Sequence, residues 1–436
     1  MHTTTRTPGL RVVIDARLVS GEAGGVEGVV IGLAYGLSRL DGPEAYDLVA
    51  WEGQTDWLEP HIGGASRVVT TARPAARAPR SARAPAPGRG RLLAPLRAAR
   101  RLLRSAVGSS PAQPAAPARP PRAFSLPQPD RFVVSLAPDV VHMPIQRGFV
   151  TNAPSIYHPH DLQHVHLPQF LNEGQRAWRE RWYGDLCRRA AMVAVSSEWT
   201  RRDVSDHFDL PDGRVRVVPL APPLATTREP TAQEGADVRA RLNLPDRYVL
   251  YPAQTWPHKN HIRLVEALAR LRARDGLTVP LVATGRRTEH WAEIDSLARS
   301  LGLADQLIWT DFVPALDLQA LFREARAVVI PTLFEAASAP LWEAFAAGVP
   351  AACSNVTSLP EQAGDAAVVF DPLDLDAISD AVGAVWTDEA LRETLIRNGR
   401  ARVRELSWDR TARIFRAHYR RLAGRELTEE DRALVG

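Results

Sequence analysis

Short apolar runs alternate with stretches of helical periodicity along most of this 436-residue chain. In the second half the runs fall at residues 248–253, 281–284, 307–310, 327–331, 350–353 and 366–370. In the first half they fall at 11–19, 139–143, 156–158 and 192–196, with helical periodicity over 28–40. Strands that alternate with helices form parallel sheets, because each strand needs a crossover before the next. So many units exceed one sheet of ordinary size, and the sequence predicts two α/β domains.

A proline-rich stretch, PLAPPLATTREP at residues 219–230, separates the two sets of units. Its prolines oppose both a continuous helix and a central strand, so it is expected to be a linker. We therefore predict an N-terminal domain over residues 1–225 and a C-terminal domain over residues 226–407. The final helical segment, residues 408–436, could belong to either domain, and packing against the N-terminal domain is one option.

Residues 72–129 interrupt the alternation with a low-complexity sequence of arginine, proline and alanine. Thirteen arginines and no acidic residue lie between residues 61 and 129, so the rest of the chain is acidic although the whole carries +4. Such a composition buries too little apolar surface to offset the entropy of ordering, which predicts a disordered insertion. This composition is typical of a solvated, arginine-rich surface insertion. The leucines among arginines at 91–107 leave contact between residues 72–123 and an anionic membrane surface as the alternative. Nucleic acid is not expected, because Phe124 is the only aromatic residue there.

The composition also suggests a cellular compartment. Cys187 and Cys353 are too few for a disulfide framework or a cysteine-based zinc site. No apolar run approaches the ~20 residues of a membrane span, and the first residues do not read as a signal peptide. We expect a cytoplasmic protein, peripheral on the inner membrane face if the insertion binds lipid.

The only lysine of the chain, Lys259, stands in the segment YPAQTWPHKNH, between a predicted strand and a predicted helix. Asn260 is expected to cap that helix, whose first N–H groups and dipole attract anions. A compact ammonium at this place suits a phosphate group. A solvated lysine is the alternative interpretation.

Two glutamates, Glu335 and Glu343, stand eight positions apart in PTLFEAASAPLWEAFAAGVP. Pro340 and Gly348 are typical of the start and the end of a helix. Both carboxylates should lie near the carboxyl end of a strand, where open α/β sheets bind ligands. There they could accept hydrogen bonds from ribose or sugar hydroxyls. For Glu343, a favourable interaction with the helix dipole is the alternative.

These motifs, with SNVTSLPEQAGDAAVVFDPLD after them, resemble the retaining glycosyltransferases of family 4. The similarity covers most of residues 248–406 and is looser at GGVEGVVIGLAYGL, HDLQHVHLPQF and AVSSEWTRRDV. The resemblance implies a GT-B fold, in which two Rossmann-like domains face an interdomain cleft. It also implies transfer of a hexose, with mannose preferred, from a nucleoside-diphosphate sugar to a saccharide or lipid-linked saccharide acceptor. Surface polysaccharide or glycolipid synthesis is the expected setting, and neither a cofactor nor a metal is expected.

The resemblance further implies roles for individual residues. Lys259 would contact the donor diphosphate, Glu343 its ribose, and Glu335 the transferred sugar. His160 would reach the sugar or the reaction centre. Backbone amides are expected to approach the phosphates at four positions, Gly24, Gly25, Ser338 and Ala339.

The chain departs from the family pattern in two places. The loop between the glutamates usually reads Gly-Phe-Gly, whereas here it is Ala336, Ala337 and Ser338. Gln254 occupies the position of a common phosphate-binding arginine, which Arg286 or Arg287 could replace. We keep Gln254 among the expected donor-binding residues. The changed loop leaves open a non-catalytic partner protein as an alternative function.

Other interpretations stay open at this point. An NAD-dependent Rossmann oxidoreductase also has repeated βα units, but GEAGGVEG lacks the spacing of G-x-G-x-x-G. Four histidines, at positions 158, 160, 164 and 166, could in principle bind zinc, although nothing nearby requires it. Ordinary loop polarity is the alternative role for His160. We expect Trp256 and Trp342 to pack in the core, and stacking on a sugar or base of the donor is the alternative.

Overall fold

The computed structural model describes residues 9–21, 24–73 and 129–436. These residues form two parallel sheets, one of seven strands in the order β3-β2-β1-β4-β5-β6-β7 and one of six in the order β10-β9-β8-β11-β12-β13. The strands of the first sheet are β1 (Arg11–Asp15), β2 (Ala45–Trp51), β3 (Ser66–Thr71), β4 (Val140–Met143), β5 (Ser155–Tyr157), β6 (Met192–Val195) and β7 (Val215–Val217). Those of the second are β8 (Val249–Pro252), β9 (Leu281–Thr284), β10 (Leu307–Trp309), β11 (Ala327–Ile330), β12 (Ala351–Ser354) and β13 (Ala367–Phe370). The predicted pair of parallel α/β sheets is confirmed.

Helices connect the strands in both halves. In the first half they are α1 (Gly25–Leu37), α2 (Arg131–Ser135), α3 (Gln163–His166), α4 (Glu173–Arg189) and α5 (Glu198–Phe208). In the second they are α6 (Ala232–Leu242), α7 (His261–Asp275), α8 (Trp291–Ser300), α9 (Ala315–Glu324), α10 (Ala339–Ala347), α11 (Leu359–Ala363), α12 (Leu375–Thr387) and α13 (Glu389–Val403). Two further helices follow, α14 (Trp408–Leu422) and α15 (Glu429–Val435). Within the proline-rich stretch 219–230, the only regular structure described is a short 3-10 turn, Pro223–Thr226.

Each sheet has one place where the chain reverses its direction of strand addition. In the first sheet this place is between the neighbouring strands β1 and β4, and in the second it is between β8 and β11. The loops that leave such a pair run to opposite sides of the sheet and open a crevice at its carboxyl edge. The fold thus provides two crevices, and the loops with Lys259 and Glu335 leave β8 and β11.

The apolar runs predicted all of β8 to β13, of which β9, β11 and β12 are buried at every position. Three strands of the first sheet were missed: β2, β3 and β7. Asp47 interrupts the apolar run of β2, although its carboxylate is buried and accepts a hydrogen bond of 2.5 Å from Arg67 Nε on β3. β3 has the sequence SRVVTT and β7 the sequence VRV, so polar residues interrupt the apolar run in both strands.

The C-terminal segment packs against α1 and contributes to the core of the first sheet. Phe415 and Tyr419 of α14 lie fully buried in one cluster with Val12 and Ile14 of β1. Where α14 crosses α1, a Cβ at Gly32 would lie 2.1 Å from the ring of Trp408. The absence of a side chain at Gly32 therefore lets the two helices approach each other.

The predicted disordered insertion, and with it the amphipathic segment 91–107, falls almost entirely on residues 74–128, which lie outside the described residues. Its interaction with a membrane surface stays a prediction. Among the residues described, no helix combines the length and the apolar character needed to cross a bilayer.

Candidate active site

A cleft of about 230 Å³ lies between the carboxyl edges of the two sheets. Loops and helices of the N-terminal domain contribute Gly25, His160, Asp161, Gln163 and Ser196 to its lining. Those of the C-terminal domain contribute His258, Lys259, Phe334, Glu335, Ala336, Ala337, Ala339 and Trp342. Five of the predicted site residues therefore line one cleft: Gly25, His160, Lys259, Glu335 and Ala339.

The turn that carries Lys259 is anchored to three strand ends. Tyr251, in β8, donates its hydroxyl proton to the Lys259 carbonyl at 2.8 Å. The Asn260 side chain donates to the carbonyls of Pro331 at 2.9 Å and Pro372 at 3.0 Å, which follow β11 and β13. Asn260 is the N-cap residue of α7, as predicted, but its side chain accepts no N–H of the helix backbone, and its Oδ1 accepts a hydrogen bond from Arg263 Nη1 at 3.1 Å instead. Asn260 thus fixes the turn rather than the helix.

Lys259 and Glu335 form an ion pair in the cleft. The Nζ of Lys259 lies 2.7 Å from Oε2 of Glu335, and their side chains are 22% and 16% exposed. The two loops are joined beside this pair, because the His258 carbonyl accepts hydrogen bonds from the Leu333 N–H at 2.7 Å and from the Thr332 hydroxyl at 3.1 Å. Hydrogen bonds between the two loops therefore hold the backbone beneath the ion pair, while both side chains remain accessible to solvent.

The backbone of Glu335 is held by the start of α11. The Glu335 carbonyl accepts hydrogen bonds from the hydroxyls of Thr357 at 2.5 Å and Ser358 at 2.8 Å. The Glu335 N–H in turn donates to the Thr357 oxygen at 3.0 Å. Both residues belong to the SLPE-containing motif that the sequence singled out. Since a rotation of the Glu335 peptide would break these bonds, its carboxylate is preorganised.

The loop from Ala336 to Ser338 runs without a positive φ, so alanine and serine take the place of glycine without backbone strain. The Ser338 N–H donates to Oε1 of Gln362 at 2.8 Å. The Ser338 hydroxyl is buried and finds no hydrogen-bond partner among the described residues. Ala339 begins α10, which places the positive end of a helix dipole at the cleft.

Glu343 lies inside α10 rather than on the wall of the cleft. It is buried, and this loss of solvation raises the pKa of its carboxyl to about 7, against a hydrogen bond from the Leu224 backbone that lowers it. A carboxyl in such surroundings changes its charge near neutral pH. The ribose contact stays a prediction.

The glycine turn of the first domain approaches the loop after β8. Gly24 has a φ of 57°, and a Cβ there would lie 3.7 Å from Nε2 of Gln254. Arg286 donates to the Gly21 carbonyl at 2.8 Å, whereas Arg287 pairs with Asp311 at 2.9 Å. Of the two arginines considered as substitutes at the phosphates, Arg286 is thus the one beside the glycine turn.

The two tryptophans near the cleft, Trp342 and Trp256, differ in how far they are buried. Trp342 lies partly buried against the core of the second sheet, as expected. The prediction that Trp256 packs in the core is wrong, since it is 49% exposed. It lies in the loop after β8 and donates its indole N–H to Oε1 of Gln254 at 2.9 Å.

His160 lies in the cleft wall in a left-handed conformation, with a φ of 63°. Its Nε2 lies 2.8 Å from the Pro144 carbonyl, which can only accept. Nε2 therefore carries the proton, and Nδ1 of the neutral ring is the acceptor. Burial lowers the pKa of His160, so the neutral form dominates at pH 7.

A buried chain of polar rings lies behind His160, and no pattern in the sequence predicted it. Nδ1 of His142 lies 2.6 Å from the Tyr419 hydroxyl, and its Nε2 lies 2.8 Å from Nε2 of His158. Burial lowers the pKa of His142 to about 3, so this histidine stays neutral. The ring of His158 in turn lies 5.5 Å from that of His160.

The four histidines of the sequence cluster have separate partners. His164 faces Glu180 at 3.2 Å and His166 faces Asp203 at 2.7 Å, while His158 and His160 are bonded as described above. In the described ranges, no group of three or more His, Cys, Asp or Glu side chains could hold a metal ion.

Two family models match the two halves of the chain. The model for glycosyltransferase family 4 matches residues 23–221, and the model for group 1 glycosyl transferases matches residues 235–402. Together they span all the predicted site residues and every strand of the two sheets except β1.

Relatives and solved structures agree with these matches. The O-antigen chain mannosyltransferase B of Escherichia coli is 29% identical over 60% of this chain and 72% of its own length. The serotype-specific mannosyltransferase WbdA of Escherichia coli is 28% identical over 65% of this chain but only 37% of its own length. The structure of Anabaena Alr3699/HepE in complex with UDP and glucose superposes with a TM-score of 0.65 at 16% identity, over 94% of this chain and 99% of that one. The chain belongs to glycosyltransferase family 4 and is a hexosyltransferase of the GT-B fold.

Proposed function

We propose that this enzyme transfers a hexose from a nucleoside-diphosphate sugar to a hydroxyl of a saccharide or lipid-linked saccharide, with retention of the anomeric configuration. The observation that carries the proposal is the Lys259–Glu335 ion pair, at the reversal point of the second sheet and in one cleft with His160. Membership of the family speaks against the oxidoreductase alternative.

The donor diphosphate would lie between Lys259 and the start of α10. An ammonium and a helix N-terminus at one place offer a full positive charge and a partial one to a leaving group that gains negative charge as the sugar departs. Lys259 would exchange part of its interaction with Glu335 for the phosphate. This arrangement stabilises the diphosphate with groups of the chain itself, and we propose no cofactor or metal.

The sugar would lie between Glu335 and His160. The Glu335 carboxylate can accept hydrogen bonds from sugar hydroxyls, while Nδ1 of the neutral His160 can accept one from the opposite side of the cleft. Catalysis in this picture consists of positioning and electrostatic stabilisation, because the reacting sugar carries positive charge in the transition state. Gly24 and Gly25 would leave room for the phosphates on the side of the first sheet.

We propose mannose as the sugar and surface polysaccharide or glycolipid synthesis as the setting. Both relatives described above are named mannosyltransferases, and the name of one includes the O-antigen chain. These names are the support for mannose.

The test is a transfer assay with the purified full-length protein. GDP-mannose, UDP-glucose, UDP-galactose and dTDP-glucose would each be offered with a lipid-linked saccharide acceptor, and nucleoside diphosphate release would be measured. We expect release from one donor and its loss in Glu335→Ala and Lys259→Ala. The configuration of the product, read by NMR, tests retention.

Glu393→Gln is a matched control, because this glutamate is exposed on α13 outside the cleft. It should keep the wild-type rate. Wild-type rates in both Glu335→Ala and Lys259→Ala would refute the assignment of the site. No release from any donor by the wild type would favour the non-catalytic partner protein.

A further inference from the structure

We propose that Ser197, Thr200 and Glu361 are positioning residues that fix the loop after Glu335 only while the two domains are closed on each other. The proposal rests on the proposed function, since Glu335 is taken to contact the sugar. It adds a connection between closure of the cleft and the geometry of that glutamate.

Two hydroxyls of the N-terminal domain bind the residue that follows Glu335. The Ser197 hydroxyl lies 3.0 Å and the Thr200 hydroxyl 3.2 Å from the Ala336 carbonyl oxygen, and the two hydroxyls lie 2.7 Å from each other. Two hydroxyls have two protons, so at most two of these three contacts are donations at once. If one hydroxyl donates its proton to the other, the hydroxyl that accepts it is the one that donates to the Ala336 carbonyl. Either Ser197 or Thr200 can take that second role.

A carboxylate of the C-terminal domain binds the same helix from the other side. Oε1 and Oε2 of Glu361 accept the backbone N–H groups of Glu198 at 2.8 Å and Trp199 at 2.9 Å. These N–H groups belong to the first turn of α5 and have no partner inside the helix. The negative charge also faces the positive end of the α5 dipole. Glu361 therefore completes a helix that belongs to the other domain.

Aromatic contacts lie beside these polar ones. The ring of Phe334, immediately before Glu335, lies 5.9 Å from that of Trp199 and 5.5 Å from that of His166. Both residues that flank Glu335 thus contact the N-terminal domain. The contacts described here involve the motif AVSSEWTRRDV, to which the sequence alone assigned no role.

The two sides of the Glu335 backbone differ in what holds them. Its own carbonyl is bound by Thr357 and Ser358 of the same domain and would stay bound if the domains separated. The Ala336 carbonyl is bound by Ser197 and Thr200 across the cleft. Separation of the domains would release only the second set. The loop would then reach its reactive geometry only upon closure, when water is excluded from the cleft.

The experiment uses the full-length protein and the variants Thr200→Val, Ser197→Ala/Thr200→Val and Glu361→Gln. Valine has the shape of threonine without the hydroxyl, and glutamine retains one of the two acceptor oxygens. For each variant we would measure kcat and KM for the donor, the affinity for GDP and UDP by calorimetry, and amide hydrogen exchange at Glu198 and Trp199. These exchange rates report the contact without reference to activity.

We expect the double variant to lose about tenfold in kcat, as the loss of one or two hydrogen bonds in the reactive state implies. The affinity for GDP or UDP should stay within about twofold, because Lys259 and α10 are unaffected. Glu361→Gln should speed exchange at Glu198 and Trp199. Thr200→Val alone should have the smaller effect, because Ser197 can still donate to Ala336.

Ser197 also caps α5, so its loss needs a separate control. Thr231→Ala removes a cap of the same kind from α6, where the Thr231 hydroxyl accepts the Glu234 N–H at 3.2 Å and no residue of the helix is among those that line the cleft. It should lower thermal stability by a similar amount and leave kcat unchanged.

Three results would overturn the proposal. They are an unchanged kcat in the double variant, unchanged exchange at Glu198 and Trp199 in Glu361→Gln, and a loss of nucleotide affinity as large as the loss of kcat. If the wild type transfers no sugar, the proposed function fails, while the exchange rates still decide whether Glu361 binds α5 in solution.

Discussion

The hydroxyl of Tyr419 lies 2.6 Å from Nδ1 of His142, although the two residues are 277 positions apart. The His142 side chain lies buried on β4 of the first sheet, and Tyr419 contacts it from α14. Tyr46 lies beside this pair, with its ring 6.3 Å from that of Tyr419. Its buried hydroxyl has no hydrogen-bond partner in the part of the chain that the structure describes.

This difference between two neighbouring tyrosines predicts different costs of removing the hydroxyl. Tyr419→Phe leaves His142 Nδ1 buried without its partner and should lower the free energy of unfolding by about 1–3 kcal/mol. Tyr46→Phe removes a hydroxyl without a partner and should change it by less than about 0.5 kcal/mol. Urea denaturation of both variants at pH 7 measures the difference. Equal losses would contradict the assigned bond.

Substitution of Gly32 should force α14 away from α1 and lower the stability of the protein. A methyl group in Gly32→Ala would lie 2.1 Å from Cε2 of Trp408, so one of the two helices must shift. Such overpacking should cost about 1–3 kcal/mol or more and be visible as a lower thermal midpoint. Gly63→Ala is the control, since a Cβ there meets nothing within 4 Å. A variant of Gly32 as stable as that control would show that the helices are not in close contact.

The buried carboxyl of Glu343 should make the free energy of unfolding depend on pH. Burial raises the pKa of its carboxyl from 4.5 to about 7, so the folded protein binds this proton more tightly than the unfolded chain. The stabilisation is complete below about pH 4.5 and is lost as the pH rises to about 7, which amounts to about 3 kcal/mol.

Glu343→Gln should remove this loss, because an amide does not ionise. We expect the variant to gain stability over the wild type between pH 5 and pH 8, as measured by urea denaturation at both values. The exposed Glu393→Gln should show no such gain. The difference between variant and wild type is the relevant quantity, since buried histidines such as His142 act in the opposite direction in this range. A constant difference from pH 5 to pH 8 would contradict a carboxyl that is protonated in the folded state.

The sequence predicted the second sheet better than the first for a physical reason. Strands such as β11 and β12 are buried on both faces and appear as continuous apolar runs. β2 carries the buried Asp47, whose partner Arg67 lies on another strand, and a local pattern does not reveal such a pair. β3 has polar residues at both ends and β7 has Arg216 between its two valines, so neither forms an apolar run.

The candidate site shows the same division. Lys259 and Glu335 were predicted from local motifs, and the structure brings them within 2.7 Å of each other. Asn260 was placed correctly beside the helix start, but the carbonyls that bind its side chain come from residues 71 and 112 positions away. The contacts of Glu361 with α5 and of Tyr419 with His142 join distant segments, and composition or spacing carries no signal for them.

The arginine-rich insertion predicts membrane binding from its sequence alone. Deletion of residues 72–123 should abolish binding to vesicles of anionic lipid at physiological salt, because the arginines would supply about 1 kcal/mol each at such a surface. Nucleotide affinity should not change, since the deletion leaves Lys259 and Glu335 in place. Sedimentation with phosphatidylglycerol vesicles measures the first and calorimetry with GDP or UDP the second. Undiminished vesicle binding would support the solvated loop.

The variant Lys259→Arg tests whether sugar transfer requires an ammonium in the cleft or any positive charge. Arginine is longer and planar, and it would tend to bind both oxygens of Glu335 in a bidentate pair, whereas Lys259 contacts Oε2 alone. The guanidinium would thereby be held away from the phosphate, so we expect transfer to fall about tenfold or more with the fold intact. Arg299→Lys, at an exposed pair with Asp295 on α8, exchanges the same two cations outside the cleft and should keep the wild-type rate. A wild-type rate in Lys259→Arg would mean that charge alone suffices at this position.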